Sequence, residues 1–124
     1  MFDLFVYGIL MRGEPGFDEL SLARRSHYVG RERVSGTLYD LGDYPGLIRD
    51  GIGIAQGEHL RSRDATLLAD LDAYELYDPD DLGASDYIRT RINMLGSGRL
   101  AWTYVYVRPL NGCSAIASGD WRSR

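Results

Sequence analysis

Two short segments far apart in the sequence carry the groups best placed for chemistry: Phe5-Val6-Tyr7-Gly8-Ile9-Leu10 near the start and Leu71-Asp72-Ala73-Tyr74-Glu75 in the middle. The first has the composition of a β-strand running into a glycine turn. Beyond such a turn, successive backbone N–H groups escape the sheet ladder and can receive an anion. The second segment ends on a carboxylate. Glu75 lies four residues after Leu71 and seven after Leu68, which at about 100° per residue sets it roughly 50° from the centre of an apolar helical stripe. A carboxylate beside the core loses hydration, its pKa rises, and it becomes a general base useful near neutral pH. Position alone leaves two plainer readings open. Glu75 is then a helix-end acid that reaches water or pairs with an arginine, and the glycine turn is an ordinary connection. Asp72 is expected to point further toward solvent, and Asp70 further still.

Tyr87 and Arg89 fall on one face of an alternating segment, where a phenol and a guanidinium would project toward one pocket, the guanidinium being able to grip a carboxylate. The alternative is a solvated face with structural ion pairs. His27 and His59 have no partner at metal-ligand spacing and the five glutamates are scattered, so no metal site is assigned. Ser21, Ser26 and Ser62 lack a nucleophile-elbow context, and Cys113 sits in a glycine-rich tail with nothing to activate it.

The elements that must position these groups follow from periodicity. Leu4 to Tyr7 reads as a buried strand. Phe17 to His27 has helical apolar spacing with Asp18 and Glu19 in its opening turn. Val29 to Leu41 is extended, Gly42-Asp43-Tyr44-Pro45-Gly46 is a turn cluster, and Leu47-Ile48 and Ile52 to Leu60 read as further strands. Arg63 to Leu76 is the clearest helix, with Ser62 as its candidate N-cap and Leu67, Leu68, Leu71 and Tyr74 along one stripe. Tyr87 to Leu95 alternates and, through Gly96-Ser97-Gly98, forms a hairpin with Leu100 to Val107. The tail from Arg108 to Arg124 lacks periodicity, although Ile116 and Trp121 can pack it down. Bent strands, few helices and abundant glycine imply a mixed α/β (α+β) domain. Its sheet is expected to be small, curved and β-barrel-like, flanked by two or three helices; a Rossmann fold would need regular strand–helix alternation.

At 124 residues the chain is long enough for one core, and a single domain over 1–124 is expected, with a core at about 4–107 and a tail at 108–124. No apolar run approaches the roughly 20 residues of a membrane span, and the first residues lack the basic start of a secretory signal. A lone cysteine rules out an internal disulfide, so a cytoplasmic setting is expected. Eighteen acids oppose fourteen bases, all arginine, for a formal charge of -4. The arginine clusters are short and flanked by Glu19 and Glu32, which disfavours nucleic-acid binding. Absence of lysine removes Schiff-base and P-loop chemistry.

Five pieces in order, Phe5-Val6-Tyr7-Gly8-Ile9-Leu10, Gly36-Thr37-Leu38-Tyr39-Asp40, Tyr44-Pro45-Gly46, Leu71-Asp72-Ala73-Tyr74-Glu75 and Tyr87-Ile88-Arg89, resemble the gamma-glutamylcyclotransferase superfamily, in particular its small gamma-glutamylamine cyclotransferase-like branch. The match covers about residues 4 to 107. The resemblance implies that fold and a cofactor-independent enzyme releasing 5-oxoproline from a γ-glutamyl amine or γ-glutamyl peptide. It places the catalytic glutamate on Glu75 and substrate binding on Tyr7, Gly8, Ile9, Leu10, Tyr87 and Arg89. One departure stands out: Ile9 occupies the place of a Ser or Thr. If backbone N–H groups hold the ligand the change is tolerable; if a hydroxyl matters, a non-catalytic module binding a small carboxylate or amine is the rival. A different amidohydrolase or amide-forming reaction is the third reading, because fold does not fix chemistry.

Overall fold

A computed structural model describes residues 1–124. Five strands make the main sheet: β1 (Phe2–Val6), β2 (His27–Ser35), β5 (Ile54–Ser62), β6 (Tyr87–Asn93) and β7 (Leu100–Tyr106), in the order β2-β5-β1-β7-β6. Every neighbour is antiparallel except β1 beside β7. The sheet curls until its two edges meet. The Leu95 N–H, just past β6, donates to the Arg33 carbonyl of β2 at 2.8 Å, and the Glu32 carboxylate accepts from the Gly96 and Ser97 N–H groups at 2.8 Å each. Burial alone would raise the Glu32 pKa, but these bonds and one from the Arg33 N–H hold it below the usual carboxylate range. A barrel-like sheet results, which is the mixed α/β architecture expected.

A second sheet joins β3 (Thr37–Asp40), β4 (Pro45–Ile48) and β8 (Ser114–Ala115) in the order β4-β3-β8. Strand β8 comes from the tail, which Ile116 and Trp121 bury at 7% and 2% exposure, as their apolar character led one to expect. Three short helices complete the chain: α1 (Pro15–Glu19), α2 (Leu22–Arg25) and α3 (Leu67–Tyr74). The buried apolar side chains form one connected core. No helix is long and apolar enough to cross a membrane.

Three elements differ from the periodic reading. The segment expected as one helix from Phe17 to His27 is broken at Ser21, whose φ of 53° is left-handed. Phe17 and Leu22, five residues apart, would point about 140° away from each other on a straight helix. The break lets both reach the core, and both are buried. Ser62 is the last residue of β5 rather than a helix cap. Its hydroxyl is already occupied, donating to the Arg25 carbonyl at 2.7 Å and accepting from the Asp64 N–H at 3.0 Å, so α3 starts only after Thr66. The strand expected from Ile52 runs from Ile54 instead, because Gly51 turns the chain at φ 73° and leaves Ile52 exposed.

Candidate active site

Helix α3 buries Leu67 and Leu71 against the sheet, with Leu68 and Tyr74 partly covered, so the apolar stripe read from the sequence faces the core. The helix stops immediately after Tyr74. Leu76 takes a left-handed φ of 54°, and the Tyr77 N–H reaches back to the Asp72 carbonyl at 2.9 Å, a Schellman closure. Glycine usually fills that position; a leucine there costs roughly 1–2 kcal/mol. Glu75 is therefore held at the turn between helix and loop, its own N–H tied to the Leu71 carbonyl at 2.9 Å.

From that position Glu75 lines a cavity of about 240 Å³ between the end of β1, the end of α3 and β4. Tyr7, Gly8, Ile9, Leu10 and Tyr87 line the same cavity. The wall is mainly apolar, and Glu75 and Asp86 supply its only charged side chains. Glu75 is half-buried, and its carboxylate has no hydrogen bond or ion pair within the chain. Burial raises its pKa from 4.5 to about 7, because desolvation disfavours the charged form and nothing compensates.

Facing it is the turn after β1. The carbonyls of Gly8 and Ile9 accept from the N–H groups of Met11 and Gly16 at 3.0 and 2.8 Å, and the Arg12 N–H is taken by the Glu58 carboxylate at 2.7 Å. The N–H groups of Tyr7, Gly8, Ile9 and Leu10 have no acceptor in the chain. Buried main-chain donors are nearly always paired, so four in succession beside a cavity mark a place for an anion or carbonyl oxygen. Gly8 is dictated by packing: a Cβ there would lie 2.6 Å from Cγ and Cδ of Pro45. The close approach of β4 thus forms one wall of the cradle and links the Tyr44-Pro45-Gly46 piece to the Tyr7-Gly8 piece.

The tyrosines present rings, not hydroxyls. Tyr7 donates to the Tyr104 carbonyl at 2.6 Å and accepts from the Leu47 N–H at 3.3 Å, and Tyr87 donates to the Pro45 carbonyl at 2.8 Å. Burial first, then neighbouring charge that includes Glu75, raises the pKa of both phenols well above the ordinary value. Arg89 does not join them. It is absent from the cavity wall, and its Nε and Nη2 donate to Asp72 at 2.8 and 3.3 Å. The expectation that Arg89 reaches the pocket is corrected, as is that of a solvated Asp72, because the two neutralise each other over the sheet.

Sequence reading passed over Tyr104, Trp102, Tyr74 and Asp86, which also line the cavity. Trp102, Tyr104 and Tyr106 alternate along β7 and so share a face; three aromatics in succession on one face were the available signal. Tyr44 from the turn before β4, Pro45 at the start of β4 and Asp86 from the loop before β6 also contribute to the wall. No residue of the tail lines the cavity.

Residues 4–123 match the model of a family described as gamma-glutamyl cyclotransferase, AIG2-like. The chain belongs to that family. Among relatives in it, the gamma-glutamylcyclotransferase family protein YtfP of Escherichia coli K12 is 37% identical over 129 aligned residues, covering 98% of this chain and 96% of its own. The gamma-L-glutamyl-butirosin B gamma-glutamyl cyclotransferase of Niallia circulans is 34% identical over 111 residues, 86% of this chain and 67% of that one. The solution structure of E. coli ytfP superposes with a TM-score of 0.71 at 35% identity, over 97% of this chain and 96% of that one. The family fold and the curled sheet with three helices therefore agree.

Proposed function

We propose that this member of the family is a cyclotransferase that releases 5-oxoproline from a γ-glutamyl amine or γ-glutamyl peptide, with Glu75 as the proton carrier. The observation that carries this reading is the unpaired Glu75 carboxylate sharing one small cavity with four unpaired backbone N–H groups. The substrate's α-ammonium must lose a proton before its nitrogen can attack, and a carboxylate with a pKa of about 7 is matched to take it at neutral pH. The amine nitrogen then forms a bond to the γ-carbonyl carbon, the bond from that carbon to the leaving nitrogen breaks, Glu75 returns its proton to the departing amine, and the second proton shed by the ring nitrogen also ends on that amine, which leaves as an ammonium. Nucleophile and electrophile belong to one molecule, so holding it folded for ring closure supplies much of the acceleration, and no metal or organic cofactor is called for. The N–H groups from Tyr7 to Leu10 hold negative oxygen of the substrate, the α-carboxylate or the developing oxyanion. Because the donors are main-chain groups, Ile9 serves as well as a residue with a hydroxyl.

The test is 5-oxoproline detection by mass after incubation with a panel of γ-glutamyl amines and peptides, for the native chain and for Glu75→Gln. Release by the native chain, reduced by orders of magnitude in Glu75→Gln, is the expected result. Saturable 5-oxoproline binding with no product from any member of the panel would leave a binding module. Unchanged turnover in Glu75→Gln would remove the assignment of Glu75.

A further inference from the structure

Arg89 stands directly opposite Tyr104 in the β6–β7 pairing. Its Nε and Nη2 donate to Asp72 Oδ1 and Oδ2 at 2.8 and 3.3 Å, and the Tyr104 hydroxyl donates to Oδ1 at 2.6 Å. The guanidinium also lies 4.5 Å from the centre of the Trp102 ring. Asp72 precedes Glu75 by three residues, one turn of α3, so the two carboxylates share a side of the helix. The Tyr104 carbonyl in turn accepts the Tyr7 hydroxyl at 2.6 Å, at the start of the N–H cradle. One hydrogen-bonded chain thus runs from β6 through α3 and β7 to β1, joining the element that carries the acid to the element that carries the donors.

We propose that Arg89, Asp72 and Tyr104 form a positioning clamp that fixes Glu75 against the N–H cradle, with Arg89 acting through Asp72 and not on the substrate. This rests on the reading of Glu75 as proton carrier. Two physical tasks fall to the clamp. It pins the last turn of a helix only two turns long, whose C-terminus would otherwise fray. It also cancels the Asp72 charge beside Glu75. The ionisable groups facing Glu75 are Tyr7 just past β1, Tyr44 just before β4, Tyr87 from β6, Tyr104 from β7, Tyr74 from its own helix and Asp86 across the cavity, and Asp86 is held by Arg108 at 3.0 Å. The phenols are neutral near pH 7 and no arginine lines the wall, so Arg89 is what keeps Asp72 from adding a negative charge to the site.

Carboxyl-carbon NMR titration of Glu75, its resonance assigned by its loss in Glu75→Gln, tests this without substrate. Arg89→Met leaves Asp72 charged and raises the Glu75 midpoint by roughly half a pH unit. Asp72→Asn does not raise it, and the double variant returns to the native midpoint. Simple loosening of the helix would move both single variants the same way and would overturn the proposal, as would an unchanged midpoint in Arg89→Met. With a γ-glutamyl amide as substrate, Arg89→Met lowers kcat about tenfold or more with little change in KM, and Arg89→Lys recovers part of it. A raised KM at unchanged kcat would instead make Arg89 a substrate contact. Should Arg89→Met not fold, Arg89→Lys and Tyr104→Phe carry the test: Lys keeps the native midpoint, Phe raises it, and the reverse pattern overturns the clamp. A chain that forms no 5-oxoproline but shows these midpoints loses the activity reading and keeps the clamp.

Discussion

Replacing Glu75 by Gln should make the folded protein more stable at alkaline pH while removing its chemistry. The Glu75 pKa rises from 4.5 to about 7 on folding because its carboxylate loses water and gains no partner. Between those values the unfolded chain has released the proton and the native chain has kept it, so unfolding free energy falls as pH rises through this window and levels off above it. A shift of that size corresponds to roughly 3 kcal/mol. The residue keeps partial contact with solvent, which screens the charge and brings the expected cost to about 1–3 kcal/mol. Gln has the size of the protonated acid and never ionises, so Glu75→Gln should recover that amount at pH 8 and almost none below pH about 4.5. Urea melts of both proteins from pH 4 to pH 9 measure the difference, and thermal melts should show a gain of roughly 3–10 °C at pH 8. A stability difference that does not change with pH, or a Gln variant less stable than the native chain at pH 8, would refute the claim that burial without a partner sets the acidity of Glu75.

Gly8→Ala places a Cβ 2.6 Å from the Pro45 ring and should cost about 1–3 kcal/mol in urea melts while impairing 5-oxoproline release; native stability with native turnover would show that the cradle does not depend on this contact. Glu75 and Asp86 are the only charged side chains of the cavity wall, so a γ-glutamyl amide of an uncharged amine should exceed a matched γ-glutamyl amino acid, whose leaving group bears a carboxylate, by about tenfold in kcat/KM. Equal or reversed preference in steady-state kinetics would contradict this. Trp121→Ala removes a side chain that is 2% exposed and should lower stability by about 3–5 kcal/mol, yet leave turnover close to native well below the melting temperature, since no tail residue lines the cavity; lost turnover in a still-folded variant would tie the tail to the site.

What could be read from the chain and what could not divides along local and long-range lines. The stripe from Leu67 to Tyr74 and the place of Glu75 beside it depend on helical period alone, and they hold in the structure. The turn after Val6 likewise announces itself through Gly8. Arg89 misleads because strand alternation gives its face but not its partner, and that partner, Asp72, belongs to a helix seventeen residues earlier. Ser62 fails as a cap for the same reason: residues of β1 and β2 keep it in a strand, with Arg61 paired to Asp3 and to His27. The break at Ser21 reflects competition between Phe17 and Leu22 for one core, a tertiary demand that overrides periodicity. Tyr104 was written into the alternation of β7 but gains meaning only when Arg89 lies across from it.

Residue-level NMR titration of isotope-labelled protein with 5-oxoproline measures most directly whether the acid and the donors act on one molecule. Saturable shifts of the Gly8, Ile9 and Leu10 amides together with the Glu75 carboxyl, sharing one dissociation constant, are the expected result. Shifts confined to another surface, or amide shifts with an unresponsive Glu75, would contradict a shared site.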